Sequence, residues 1–73
     1  MGRLRVLSGR EVCAILSQHG FVRMRQRGSH VVMQQTTPTG TITVPVPDHS
    51  ELRIGTLQSI IRQSRTPRSE FEE

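Results

Sequence analysis

Phe21-Val22-Arg23-Met24-Arg25-Gln26-Arg27-Gly28-Ser29-His30-Val31-Val32-Met33-Gln34-Gln35 is the stretch that decides the fold. A short run mixing apolar residues with arginine and a second run rich in Val flank a glycine, which reads as a β-hairpin. Arg27-Gly28 is read as the tight turn, with Gly28 supplying the left-handed backbone that an arginine resists. The first strand is expected over residues 21–26 and the second over residues 29–35. Thr36-Thr37-Pro38-Thr39-Gly40 is a loop by composition. Residues 41–44 then alternate Thr with Ile and Val, which predicts a third strand. Pro45-Val46-Pro47-Asp48-His49-Ser50 is read as the end of the sheet, because prolines lack the N–H that a central strand needs.

Period-two alternation divides the strands between two faces. Val31 and Met33 share one face with Ile42 and Val44, and these four are the expected core of the sheet. His30, Val32 and Gln34 then take the opposite, open face. In the first strand Val22 and Met24 are expected inward, with Phe21 at the corner between helix and strand.

Upstream, Ser8-Gly9-Arg10-Glu11 fits a capping box, and Leu7 with Val12 fits a hydrophobic staple. Val12, Ile15 and Leu16 form one apolar stripe, and Gly20 stops the helix after His19, so a helix is expected over residues 8–19. Downstream, Leu57, Ile60 and Ile61, with Ile54 one turn earlier, predict a second helix over residues 53–64. Thr66-Pro67 reads as the start of a last short turn carrying Phe71. The order α-β-β-β-α gives an α+β fold: a three-stranded antiparallel meander with two helices on one face. This is the arrangement of a double-stranded-RNA-binding domain.

The chain has 73 residues, which predicts one domain over residues 1–73. A core of this size is marginal alone, so oligomerisation or a bound partner would add stability. The single Cys13 excludes an internal disulfide. The scattered histidines and unpaired Cys13 argue against a metal site, and no cofactor is implied. No stretch is apolar and long enough to cross a membrane, and residues 1–7 lack the apolar centre of a signal peptide, so a cytoplasmic protein is expected. All ten basic residues are arginine. Residues 1–68 set them against Glu11, Asp48 and Glu51, a net +7, while residues 69–73 hold Glu70, Glu72 and Glu73. A basic body points to phosphate or an acidic protein as partner, and arginine favours forked recognition of phosphate.

His30 is the leading candidate for chemistry. Its side-chain type titrates near neutral pH, and it sits at a hairpin end among Arg23, Arg25 and Arg27. Phosphodiester cleavage needs such a proton-transfer group beside a phosphate-binding surface. On RNA the 2′-hydroxyl supplies the nucleophile, so no metal is required and DNA would be inert. A second proton-transfer group would be water, Ser29 or His49. Arg25 and Arg27 are candidates to hold the phosphate as charge builds on it, with Ser29 beside them and Arg23 a weaker one. Arg53, Gly55 and Thr56 mark the start of the second helix, where free N–H groups hold phosphate and glycine permits close approach. Gly55 could equally relieve crowding against the sheet. His19 reads as a helix C-terminal residue, His49 as a surface loop residue and Cys13 as a part-buried thiol.

The chain resembles the HicA family of bacterial and archaeal toxins, small ribonucleases that act on messenger RNA. The resemblance runs through Gly9-Arg10-Glu11-Val12, His19-Gly20-Phe21, Arg25-Gln26-Arg27-Gly28-Ser29-His30, Val44-Pro45-Val46-Pro47 and Leu52-Arg53-Ile54-Gly55-Thr56-Leu57, and closes with Ile60-Ile61-Arg62-Gln63. It implies a double-stranded-RNA-binding-like fold, a catalytic histidine in the Gly-Ser-His motif at His30, and a HicB-type antitoxin covering the active site. The expected function is therefore a metal-independent endoribonuclease, the toxin of a toxin–antitoxin pair. A non-catalytic RNA-binding module, or a module whose arginines meet an acidic protein, would carry the same basic face.

Overall fold

Ser8 caps the first helix, α1 (Gly9–Gln18), with its hydroxyl accepting from the Glu11 N–H at 3.1 Å while the Glu11 carboxylate accepts from the Ser8 N–H at 2.8 Å. Those hydrogen bonds hold the Glu11 carboxyl below its ordinary range. Three strands follow, β1 (Val22–Arg27), β2 (His30–Thr37) and β3 (Gly40–Pro47), then α2 (Ile54–Ser64) and a 3-10 turn, Arg68–Phe71. The computed structural model describes residues 2–73. The strands form an antiparallel sheet in the order β1-β2-β3, with β2 in the centre.

The hairpin turn is Gly28-Ser29, one residue later than Arg27-Gly28. Gly28 takes φ 58 and is the only turn residue with positive φ, the pattern of a two-residue hairpin with glycine first. The loop expected over 36–40 shrinks to Pro38-Thr39, and Gly40 already belongs to β3 at φ 147.

β3 corrects the reading of the prolines. It runs on through Pro45, Val46 and Pro47, paired with Val32, Val31 and His30 of β2. β3 is an edge strand, where alternate N–H groups face away from the sheet. Two prolines spaced by one residue fall at those positions and cost no ladder bond. Val46 consequently joins Val44 in the core, and both are fully buried.

Val22 and Met24 are a second correction. They were expected inward and are 60% and 50% exposed. The cause is a β-bulge: Arg23 pairs with Met33, whereas Arg25 pairs with Val32, the residue before it. The extra residue, Met24, flips the strand over at that point. Arg23 and Gln26 therefore take the helix side with Met33 and Val31. Arg25, Arg27 and Val22 take the open side with Val32, His30 and Gln34.

Between the sheet and the helices the core holds Val12 and Leu16 of α1, Met33 and Val44 of the sheet, and Leu57 and Ile60 of α2, with Leu7, Phe21 and Leu52 at its margins. Ile54, expected on the buried stripe of α2, is 53% exposed in the first turn. Phe71 is fully buried and is the largest side chain to be so. It is brought in by the N-terminal segment: the Arg5 N–H donates to the Phe71 carbonyl at 2.9 Å, and Leu4 bridges Glu72. Glu70 reaches back to His19 at the end of α1 at 3.0 Å, and Glu72 pairs with Arg68 at 2.7 Å.

One contact ties the layers together. A Cβ on Gly9 would lie 2.0 Å from the Pro47 carbonyl oxygen, and the Gly9 N–H donates to the His49 carbonyl at 2.9 Å. The start of α1 thus rests on the backbone where β3 ends. Backbone cannot yield as a flexible side chain can, so Gly9→Ala should destabilise the protein by about 2 kcal/mol or more, as overpacking does. Gly55→Ala, where a Cβ meets nothing within 4 Å, should leave stability level or raised. Thermal unfolding of the two variants checks the contrast.

Candidate nucleic-acid interface

The open face of the sheet is organised in cross-strand rows. At the hairpin end the row is Arg27, His30 and Pro47, and the next is Arg25, Val32 and Pro45. A third row holds Val22, Gln34 and Thr43, where the Gln34 amide donates to the Thr43 hydroxyl at 3.0 Å. His30, Arg25 and Arg27 are all exposed. Val32 is only 6% exposed although it lies on this face, as expected of a small residue between an arginine stem and a proline ring. The surface around His30 is thus a firm apolar strip edged by two guanidinium groups, with Pro47 as a rigid wall.

The hairpin is braced from behind. The Asp48 N–H donates to the Ser29 carbonyl at 2.6 Å, and the Gln26 amide donates to the Gly28 carbonyl at 3.2 Å. Both turn carbonyls are therefore held. Ser29 stays exposed beside His30. This arrangement leaves an imidazole, a hydroxyl and two arginines facing solvent from a fixed backbone, which suits contact with a phosphodiester chain.

The other sequence-predicted residues fall elsewhere. Arg23 lies on the helix side, where its guanidinium donates to Gln26 at 3.0 Å. Arg53 is the N-cap residue of α2 with no side-chain capping bond, and Gly55 and Thr56 occupy the first turn of that helix, in the layer on the other side of the sheet from His30. The open space around Gly55 removes relief of crowding as the reason for glycine there, and leaves close approach to its backbone possible. His49 is exposed in the loop after β3, with its carbonyl engaged by Gly9. His19 caps α1 and pairs with Glu70. Pro45 and Pro47 were missed as parts of the His30 face. Their signal was present, because the alternation Ile42, Val44, Val46 continues through them. Among the described residues no group of three or more His, Cys, Asp or Glu could hold a metal ion, and no helix is long and apolar enough to cross a membrane.

A three-stranded sheet with two helices behind it and a basic, histidine-bearing open face defines a small double-stranded-RNA-binding-like protein. The family model described as the HicA toxin of bacterial toxin–antitoxin systems matches residues 9–65, from the first residue of α1 to the C-cap of α2. The chain belongs to this HicA toxin family. No curated protein matches it.

If Arg25 and Arg27 form the phosphate track, Arg25→Gln/Arg27→Gln should weaken RNA binding and flatten its salt dependence by up to about two counterions. Titration of a labelled single-stranded RNA at several salt concentrations reads the slope. An unchanged slope would move the track to Arg53 and the N-terminus of α2.

Proposed function

We propose that this toxin is a metal-independent endoribonuclease that cleaves messenger RNA in the cytoplasm and is neutralised by a HicB-type antitoxin. The observation that carries this reading is the row Arg27–His30–Pro47, an exposed imidazole opposite an arginine on a braced hairpin.

The chemistry follows from RNA itself. His30 in its neutral form takes the proton from a ribose 2′-hydroxyl, and the 2′-oxygen attacks the adjacent phosphorus. The P–O5′ bond breaks, leaving a 2′,3′-cyclic phosphate on one fragment and a 5′-hydroxyl on the other. The departing 5′-oxygen takes a proton from a second donor, with water, Ser29 and His49 as the candidates. Arg25 and Arg27 bind the phosphate and stabilise the charge that grows on its oxygens, a role suited to forked guanidinium donors. Arg53, Gly55 and Thr56 would hold a more distant phosphate of the same strand.

Neutralisation fits the same surface. A partner with an acidic patch would compete with RNA for Arg25 and Arg27, and charge complementarity would speed its association.

His30→Ala should lower RNA cleavage by about a hundredfold or more, the usual weight of general acid–base catalysis, and remove growth arrest on induction. The fold should persist, because His30 is exposed and carries no core packing. Cleavage assays on purified protein, with circular dichroism as the control, decide it. A folded His30→Ala protein that still cleaves RNA at the parental rate would sink the assignment. RNA binding without cleavage in the parent would make the chain a binding module.

A further inference from the structure

Behind the hairpin, on the helix side of the sheet, lies an open groove of about 580 Å³ lined by Arg10, Cys13, Arg23, Gln26, Val31 and Asp48. It adjoins the turn just before His30: Gln26 and Asp48 are the two residues bonded to the Gly28 and Ser29 carbonyls. A strand of RNA crossing the hairpin tip from the open face would pass into it.

The groove has an apolar floor and a polar rim. Val31 is 8% exposed. Cys13 is part-buried, and burial, with help from the Asp48 charge and against Arg23, pushes its thiol up. At neutral pH the sulfur is therefore uncharged and behaves as a small apolar group. The rim sets Arg10 and Arg23, which only donate, against Asp48, which only accepts. The ion pairs among the described residues are His19–Glu70 and Arg68–Glu72, so neither groove arginine is spent on Asp48. Arg23 is held in place by its bond to Gln26.

This mixture of signs selects the ligand class. A bare phosphate would engage Arg10 and Arg23 but leave Asp48 facing like charge and the apolar floor uncovered. A nucleobase has an apolar face for the floor and both donors and acceptors on its edge. Guanine offers two adjacent donors, N1–H and the 2-amino group, to one carboxylate, and its O6 accepts from a guanidinium. Adenine has one amino donor flanked by acceptor nitrogens and would face the second carboxylate oxygen with a lone pair.

We propose that this groove binds a guanine base of the RNA strand where it passes the hairpin tip, with Asp48 accepting from its N1–H and 2-amino group and Arg23 donating to O6. The proposal rests on the reading of the chain as an RNA-binding toxin and adds a base preference to it. Asp48 and Arg23 are thereby specificity residues, on the opposite side of the sheet from His30.

The test uses the full chain carrying His30→Ala, so that binding is measured without cleavage. Fluorescence anisotropy compares labelled six-nucleotide uridine RNAs holding one central guanine or one central adenine. The guanine probe should bind about tenfold more tightly, the discrimination of one good bidentate contact. Asp48→Asn should remove that preference and leave the salt slope unchanged. Arg23→Gln should weaken the guanine probe more than the adenine one. Circular dichroism checks that both variants fold. Equal affinity for the two probes, or a preference that survives in folded Asp48→Asn, overturns the proposal. RNA bound without base preference would sink the groove assignment alone, whereas no RNA binding at all would sink the ribonuclease reading with it. Groove substitutions that weaken only an acidic protein partner would reassign the groove to that partner.

Discussion

The bulge at Met24 is the constraint on which the rest of the molecule depends. Without it, Arg23 and Arg25 would share a face by simple alternation. With it, Arg25 and Arg27 stand beside His30 on the open face, while Arg23 turns back towards α1 and joins Gln26, Cys13 and Asp48. One inserted residue therefore distributes a run of three arginines over two surfaces of the hairpin. The exposed Val22 and Met24 follow from the same insertion, since the strand that would have turned them inward has been rolled over. A shift of register by one residue exchanges every side chain between faces. The bulge confines that exchange to half of β1.

Much of this could be read directly from the chain. The capping box at Ser8 and Glu11, the stripe of Val12 and Leu16, the glycine turn and the stripe of Leu57 and Ile60 are local signals, and each resolves within about one helical turn or one hairpin. His30 on the open face followed from the parity of Val31 and Met33, which needs no knowledge of neighbouring strands. What escaped was decided non-locally. Whether prolines can continue a strand depends on its position in the sheet: the alternation Ile42, Val44, Val46 runs on through residues 45–47, but only the pairing of strands puts β3 at an edge, where prolines are tolerated. The bulge exists only in the pairing of two strands. The burial of Phe71 depends on backbone bonds to residues nearly the whole chain away. Ile54 has the right spacing for the core but is the first residue of α2 and stands half exposed.

The braced hairpin shows how a domain of this size fixes the backbone beneath exposed side chains. The His30 side chain is exposed, so its position is set by the hairpin beneath it: the Asp48 N–H grips the Ser29 carbonyl, the Gln26 side chain grips that of Gly28, and Gly9 seats α1 against the strand end from which Asp48 emerges. Rigidity at the tip is transmitted from the helix layer through the main chain, which leaves the exposed side chains free to change without disturbing the frame.

The two prolines of β3 have a consequence for the molecule in a crowd. An edge strand is a template on which another chain can build, and the outer side of β3 lacks two of the donors that such a chain would need. The opposite edge, β1, is kinked by its bulge and carries Arg23, Arg25 and Arg27, so a second copy laid against it would meet like charge. Neither border of the sheet invites its own kind. Edge-to-edge growth of the sheet is thus disfavoured on both sides, and the charge at β1 favours chains of opposite sign.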